Sequence, residues 1–163
     1  MSRLGRFVSI AIIGLGIAAL VVGVAFIVEG QSKANFIKKS MREEQVSLAV
    51  LGVEGADPSN LIDSATEAQK AADVVREHRH SIAATYEDLM ASSATGRYDP
   101  TNPKHLSYAQ ALNLENYLYL GVASLGLTTV TIVSGIFMMV AGLGLALTGF
   151  ALGRLTRKVP ATA

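Results

Sequence analysis

Two long uncharged runs constrain this chain more than any other feature of its sequence. The first covers residues 7–28 and the second covers residues 116–153, so they contain 22 and 38 residues without a charge. At about 1.5 Å of helix rise per residue, 22 residues extend roughly 33 Å, which is enough to cross a hydrocarbon core of about 30 Å. We therefore expect an all-α membrane protein with two transmembrane helices, the first over residues 7–28.

The first run has an alternative interpretation as a cleaved signal peptide, because Arg3 and Arg6 precede it. The apolar core of a signal peptide is usually about 7 to 15 residues long, which is shorter than this run. No A-x-A cleavage site precedes Glu29. We therefore expect an uncleaved membrane anchor.

The charges are segregated along the chain, and this segregation bears on the second run. All 13 acidic residues lie between Glu29 and Glu115 together with nine basic residues, whereas five basic residues stand near the two ends without an acid. These five are Arg3, Arg6, Arg154, Arg157 and Lys158. Basic flanks tend to stay in the cytoplasm, so a single span keeps both ends on that side, whereas a hairpin does not. We expect one continuous helix over 117–153, with its membrane part at about 130–152.

The same pattern assigns the remaining segments to the two sides of the membrane. Residues 1–6 and the basic tail 154–163 are expected in the cytoplasm. Residues 29–116 are expected outside the cytoplasm as a helical bundle, and the last helix is expected to continue from this bundle into the membrane.

Both uncharged runs contain small residues spaced four apart, which places each pair on one helix face. The pairs are Gly14 with Ala18, Ala19 with Gly23, Gly142 with Ala146, and Gly149 with Gly153. Small side chains allow two helix backbones to approach closely in a membrane, where van der Waals packing drives association. The alternative is that glycine and alanine are simply common in membrane spans. We expect these residues to form a helix-packing seam.

The segment between the runs is rich in Ala, Glu, Lys, Gln and Arg, which favours helices. The clearest helix is expected over 58–92, with Asp57 as its cap and Pro58 in its first turn. Along it, nine residues recur at alternating steps of four and three: Leu61, Ala65, Ala68, Ala72, Val75, Arg79, Ile82, Tyr86 and Leu89. This heptad seam predicts close packing against another helix.

Arg79 is a charged residue at a seam position, so its surroundings need explanation. A buried guanidinium requires an acidic partner, for which we expect Glu43, Glu44 or a second subunit. The alternative is that the side chain extends out of the seam to water. Glu115, by contrast, is expected to reach water.

Two further helices are expected around the seam helix. One continues from the first span over about 31–51 and ends at the glycines and proline of "GVEGADP". The other begins at Ser107, where Gln110 three residues later completes a capping box. The intervening Asp99-Pro100 and Asn102-Pro103 dipeptides predict a rigid corner.

No constellation in the sequence indicates catalysis or a bound cofactor. There are no cysteines, and His78 and His80 point to different sides of a helix, so they cannot bind one metal from that helix alone. His105 lacks a partner at metal-ligand spacing, and neither a G-x-S-x-G nor a phosphate loop is present. The short basic clusters lie beside the membrane, where lipid headgroups are nearer than nucleic acid. We expect no catalytic residue, metal, cofactor or nucleic-acid partner.

Four features resemble a group of bacterial two-span membrane proteins of uncharacterised function. They are "AADVVREH" at 71–78, "TYEDL" at 85–89, the Asp99-Pro100 dipeptide and the glycine-rich final span. Members of this group are sometimes labelled aromatic ring-opening dioxygenase subunits, which implies iron chemistry. The metal ligands that such chemistry requires are missing from this sequence, so the resemblance implies the two-span plan and supplies no catalytic residue.

These observations predict a multi-pass protein of a bacterial plasma membrane with no enzymatic activity. We expect a scaffold or accessory subunit that forms a homo-oligomer or joins a larger membrane complex through its small-residue spans and its heptad seam. The alternative is an extracytoplasmic sensing module that signals through a separate partner. The lipid bilayer is the partner common to both.

Overall fold

The structure, a computed structural model, describes residues 3–158. Its helices are α1 (Arg3–Glu43), α2 (Ala65–Ile82), α3 (Tyr86–Ala91) and α4 (Pro103–Lys158). Within 3–158 no strand forms, and the only strand-like pairing there is an isolated antiparallel bridge between Ser47 and Leu61. Two helices, α1 and α4, are long and apolar enough to cross a membrane. The expectation of an all-helical chain with two long apolar helices is therefore confirmed.

The second uncharged run forms one helix and not a hairpin. It lies wholly inside α4, which has 56 residues without an interruption. The first run lies inside α1, which has 41 residues and continues past residue 28 to Glu43. This continuation is shorter than the one expected to residue 51, because Gln45 adopts a left-handed backbone conformation at φ 53° and the following residues form turns.

The described residues divide into two compact units, one formed by 3–33 with 128–158 and the other by Ala34–Leu127. In the first unit, α1 and α4 run in opposite directions and contact each other backbone to backbone. A Cβ placed on Gly16 would lie 2.7 Å from the carbonyl oxygen of Gly142, and one placed on Gly142 would lie 2.7 Å from that of Gly16. Gly23 and Gly135 have the same reciprocal relationship at 2.7 Å. No side chain larger than hydrogen fits at these crossings.

The buried small residues of this unit recur every seven positions, which corresponds to two helical turns. They are Ser9, Gly16, Gly23 and Gly30 on α1, and Thr128, Gly135, Gly142 and Gly149 on α4. We call these eight residues the glycine seam. A spacing of seven residues keeps the small side chains on one face of each helix, as in a left-handed coiled coil.

The eight small residues expected to pack are distributed unevenly over this interface. Gly23, Gly142 and Gly149 belong to the glycine seam, and Ala146 contacts Gly16. Ala19 is half-buried. A Cβ built on Gly153 would lie 3.8 Å from Ser9 Cβ, which is an ordinary contact distance. Gly14 and Ala18 lie on an exposed face, where an added Cβ on Gly14 would meet nothing within 4 Å.

In the second unit, an alanine-rich face of α2 forms the core. Ala68, Ala71, Ala72 and Val75 are buried against Ile62 from the preceding loop and Leu118 from α4. Partly buried side chains surround this cluster, among them Met41, Leu48, Leu51, Leu114 and Val122. Small side chains bring α2 close to its neighbours, as the alanines of the heptad seam predict.

The expectation of one helix over 58–92 was wrong, because local caps divide this segment. Ser64 begins α2 by accepting a hydrogen bond from the Glu67 amide at 3.2 Å. Thr85 begins α3 with a full capping box to Asp88, after Ala83 has ended α2 in an extended conformation. Asp57 instead accepts from the amide and the hydroxyl of Ser59, which makes a turn and not a helix start.

The seam residues therefore lie on three segments of the chain. Leu61 precedes α2 and is half-buried, the residues from Ala65 to Ile82 lie on α2, and Tyr86 and Leu89 lie on α3. Tyr86 is exposed, whereas Leu89 is fully buried in a small cluster with Ala83 and Tyr108. The heptad pattern identified many of the buried positions but not the breaks between the helices.

The start of the last helix also differs from the expectation. α4 begins at Pro103 and not at Ser107, one turn earlier. The side-chain oxygen of Asn102 accepts a hydrogen bond from the Lys104 amide at 2.9 Å. Pro103 has no amide hydrogen to satisfy, so it is well suited to the first turn of the helix. Of the two prolines of the expected corner, Pro100 precedes α4 and Pro103 is its first residue.

Candidate functional site

A buried polar cluster surrounds Arg79 in the second unit. Arg79 Nε donates to Glu115 Oε2 at 2.7 Å, and its Nη2 donates to Glu115 Oε1 at 3.4 Å. Its Nη1 donates to the hydroxyl of Tyr108 at 2.7 Å, and its Nη2 lies 3.2 Å from His80 Nε2. The side chains of Arg79 and Glu115 are 11% and 8% exposed, so the ion pair is shielded from water.

The Arg79 guanidinium donates hydrogen bonds through all three of its nitrogens, and each acceptor belongs to the same chain. The hydrogen bonds to the Glu115 carboxylate raise the pKa of Arg79 above its ordinary value. The bidentate geometry suits a planar guanidinium and fixes the rotation of α2 against α4. The cluster therefore joins two helices.

The expectation that Glu43 or Glu44 pairs with Arg79 was wrong. Neither Glu43 nor Glu44 contacts it, and its side chain does not extend out to water. The partner is Glu115, which we expected to be solvated and which is buried. Glu115 is 36 residues away in sequence, so no local pattern identifies the pair. One feature of the sequence could have indicated that Glu115 is buried. It is the last charged residue before the second uncharged run, so it lies beside apolar residues of the same helix.

A second polar link connects the same two helices. The hydroxyl of Tyr119 donates to Asp73 Oδ1 at 2.9 Å, and the Gln69 amide reaches the same carboxylate at 3.2 Å. These hydrogen bonds, with that of Tyr119 the stronger contributor, lower the pKa of Asp73. Partial burial and the bond to Asp73 raise the pKa of Tyr119. Both groups therefore keep their hydrogen-bonding protonation states over a wide pH range.

His105 is fully buried beneath the rigid corner. Its Nδ1 accepts a hydrogen bond from the Asp99 amide at 3.0 Å, and its ring stacks on Tyr98 with centroids 5.7 Å apart. Its Nε2 is buried and has no hydrogen-bond partner within 3–158. Thr101 donates to Asp99 through its hydroxyl and its amide, and these bonds lower the pKa of Asp99. The histidine therefore ties the corner to α4.

The histidines are not brought together as metal ligands. His78 and His80 are both exposed on α2, whereas His105 is buried on α4. Among the described residues, no group of three or more His, Cys, Asp or Glu side chains is placed to hold a metal ion.

Among the clefts on the surface of the second unit, two combine apolar side chains from several segments with polar groups. The first, of about 510 Å³, has an apolar floor that includes Leu51, Val75 and Leu114, with His78, Ser107 and Gln110 as polar groups; we call it the His78 cleft. The second, of about 490 Å³, is lined by apolar side chains and by Ser40, Glu44 and Tyr117; we call it the Glu44 cleft. Both volumes fall within the range of about 300–1,000 Å³ typical of small-molecule sites.

Sequence reasoning missed both clefts, because each combines residues from three distant segments. The Glu44 cleft uses the end of α1, the loop before α2 and the middle of α4. No protein family, curated protein or solved structure compared with this chain matches it. Its function must therefore be argued from its own side chains.

Proposed function

We propose that this protein is a non-enzymatic integral membrane scaffold or accessory subunit. It forms a homo-oligomer or joins a larger membrane complex, and it spans the membrane with α1 and α4. The observation that carries the proposal is the glycine seam. An interface that tolerates no side chain at its crossings holds two helices rigidly over a long distance, which suits a structural element.

The outward faces of the same helices support contact with lipid or with neighbouring spans. The small residues of the glycine seam pack α1 against α4. The side chains on the outward faces of these helices are mostly large and apolar. Exposed examples are Leu15 and Val21 on α1, and Phe137, Val140 and Leu147 on α4. Such surfaces are stable only when acyl chains or other membrane helices cover them. Association with a partner therefore uses these faces and not the glycine seam.

The proposed topology places both termini in the cytoplasm of a bacterium and residues 29–116 outside it. The five basic residues near the ends support this orientation, because positively charged flanks are retained on the cytoplasmic side. The buried links of Arg79 with Glu115 and of Asp73 with Tyr119 would then stiffen an extracytoplasmic bundle. Such a bundle is a suitable surface for a partner protein.

Native mass spectrometry of the full chain in lipid nanodiscs tests the scaffold role, with cysteine crosslinking in native membranes as a second readout. The chain has no cysteine, so single substitutions report one position each. Phe137→Cys, on an outward face, should crosslink to a second copy or to a partner. Met139→Cys is the control, because Met139 contacts Gly23 within the chain. A strictly monomeric species without a partner would contradict the proposal.

Ligand sensing through a separate partner is a second candidate function, and the clefts favour it. A scaffold needs no concave site, whereas both clefts combine an apolar floor with polar groups that have no hydrogen-bond partner within the described residues. Thermal unfolding in the presence of a panel of metabolites tests this candidate. A reproducible stabilisation by one compound would support it, and a flat panel would count against it.

A further inference from the structure

The Glu44 cleft has a floor made by apolar side chains from three segments. Met41 comes from the end of α1, Val46 and Ile62 come from the loop before α2, and Leu114 and Leu118 come from α4. Ile62 and Leu118 also belong to the buried core of the unit, so the floor is continuous with it. An apolar floor of this kind can accept an apolar body of matching size.

The polar groups of the cleft have unused binding capacity. The Glu44 carboxylate forms no ion pair or hydrogen bond with any described residue, and the hydroxyls of Ser40 and Tyr117 form none either. The neighbouring acids differ, because Glu43 pairs with Lys39 at 3.9 Å and Asp63 pairs with Arg42. The Arg42 guanidinium is held by Asp63, with its Nε at 2.6 Å, so it does not neutralise Glu44.

Tyr117 adds an aromatic ring to the lining of the Glu44 cleft. Its side chain is 67% exposed, and it lies one helical turn from Leu114 and next to Leu118. A cation over an aromatic ring is attracted by the negative face of the ring, and a nearby carboxylate strengthens the attraction. An anionic ligand would meet repulsion from Glu44 at the same place.

We propose that the Glu44 cleft binds a small organic cation with an apolar body, such as an alkylated or quaternary amine. The apolar body occupies the floor formed by Met41, Ile62 and Leu118, and the cationic head lies between Glu44 and Tyr117. This inference deepens the sensing candidate and is independent of the scaffold role, because a chain that binds no cation can still be a scaffold.

Three probes with the same six-carbon body separate the charge of the head from the apolar contact. They are hexyltrimethylammonium, hexanol and hexanoate, and each is added to the full chain in nanodiscs of zwitterionic lipid, with empty nanodiscs as the blank. Ligand-observed saturation-transfer NMR gives the dissociation constants. We expect the cation to bind about tenfold more tightly than hexanol, and hexanoate to bind more weakly than hexanol.

Two pairs of variants locate the site. Glu44→Gln should weaken binding of the cation about fivefold and leave binding of hexanol unchanged, whereas Glu43→Gln makes the same charge change one residue away and should have little effect. Tyr117→Leu should weaken binding of the cation, and Tyr117→Phe should retain it because the ring remains. Circular dichroism and thermal unfolding check that these exposed positions leave the fold intact.

Several results would overturn the proposal. Equal affinity for the cation and for hexanol would show that the head is not recognised, and equal effects of Glu43→Gln and Glu44→Gln would show that only net charge matters. Binding no stronger than to empty nanodiscs would remove the site altogether. Native mass spectrometry of the same samples reports the oligomeric state separately, so failure of cation binding and failure of the scaffold role can be told apart.

Discussion

Arg79 of α2 and Glu115 of α4 form a shielded bidentate ion pair, with Arg79 Nε 2.7 Å from Glu115 Oε2. Tyr108 contributes twice to this pair, because its hydroxyl accepts from Arg79 Nη1 and its ring lies 5.2 Å from the guanidinium carbon. The pair therefore sets both the spacing and the rotation of the two helices. The free energy of unfolding should therefore respond differently to the removal of one partner and to the removal of both.

Arg79→Met should destabilise the second unit by about 3–5 kcal/mol, because it leaves Glu115 buried without its partner. The double variant Arg79→Met with Glu115→Leu should recover much of this loss, since no charge then remains buried. Equilibrium unfolding of the full chain in mixed detergent gives both values. Arg76→Met is the control: Arg76 pairs with Asp73 at 3.2 Å on an exposed surface, so its loss should cost less than about 1 kcal/mol. A large effect of the control and a small effect of Arg79→Met would contradict the assignment.

The glycine seam predicts a strong dependence on which glycine is replaced. Gly142→Ala should destabilise the helix pair by about 1–3 kcal/mol, because the new methyl group would meet the Gly16 carbonyl oxygen at 2.7 Å. Gly144→Ala lies two residues away on an open face, where nothing is within 4 Å, and should be neutral or slightly stabilising. Unfolding by SDS of the protein in bicelles measures the difference.

A second pair of variants repeats this comparison on α1. Gly16→Ala should resemble Gly142→Ala, whereas Gly14→Ala should resemble the control. Spin labels at Ile17→Cys and Leu145→Cys, both exposed in the wild-type chain, should report a wider separation of the helices only for the seam variants. Equal behaviour of all four glycines would mean that the helices do not pack through this face.

The link between Asp73 and Tyr119 predicts a defined pH response. The pKa of Asp73 is lowered in the folded state, so its contribution to stability is present above its unfolded pKa of about 3.9 and is lost as the pH falls through the lower folded value. Tyr119→Phe removes the largest cause of that shift. The pKa of Asp73, followed by its carboxyl ¹³C resonance, should rise toward the ordinary value, and the loss of stability on acidification should become smaller.

The alkaline side of the same link has the opposite sign. The pKa of Tyr119 is raised on folding, so its contribution is present below its unfolded pKa of about 10 and is lost as the pH rises through the higher folded value. Asp73→Asn should lower the pKa of Tyr119, which ultraviolet absorbance of the phenolate would show as earlier ionisation. An unchanged tyrosine titration would indicate that the hydrogen bond does not form in solution.

Two serines distinguish the observed helix starts from the expected ones. Ser64 accepts from the Glu67 amide at the start of α2, so Ser64→Ala should cost about 1 kcal/mol. Ser107 lies inside α4, one turn after its start at Pro103, so Ser107→Ala should leave stability nearly unchanged. Thermal unfolding by circular dichroism measures both. A larger loss of stability for Ser107→Ala than for Ser64→Ala would indicate that Ser107 caps the last helix.

Much of the fold could be predicted because it depends on local properties of the chain. The length of each uncharged run indicated a helix long enough to span a membrane, and the charge asymmetry favoured one helix over a hairpin for residues 116–153. The alternating steps of four and three found the buried face of α2, including Ala68, Ala72 and Val75. Helix boundaries were less predictable, since Ser64 and Thr85 competed with other residues able to cap a helix nearby.

The candidate site was much less accessible to prediction. The Glu44 cleft exists only because the end of α1, the loop carrying Ile62 and the middle of α4 meet in space. Spacing along the chain carries no information about such a meeting. Glu44 was one of the partners expected for Arg79, whereas the structure places it at the edge of a cleft.

By itself, the sequence determined the helical class, the two long apolar helices and the segregation of charge, because each follows from the composition and periodicity of neighbouring residues. Only the tertiary structure decided which residues meet across elements. It selected Glu115 as the partner of Arg79, and it selected glycines that recur every seven residues along each helix as the crossing points, where Gly16 of α1 meets Gly142 of α4. The physical reason is that burial, close backbone approach and ion pairing depend on distances in space, which residues far apart in sequence acquire only when the chain has folded.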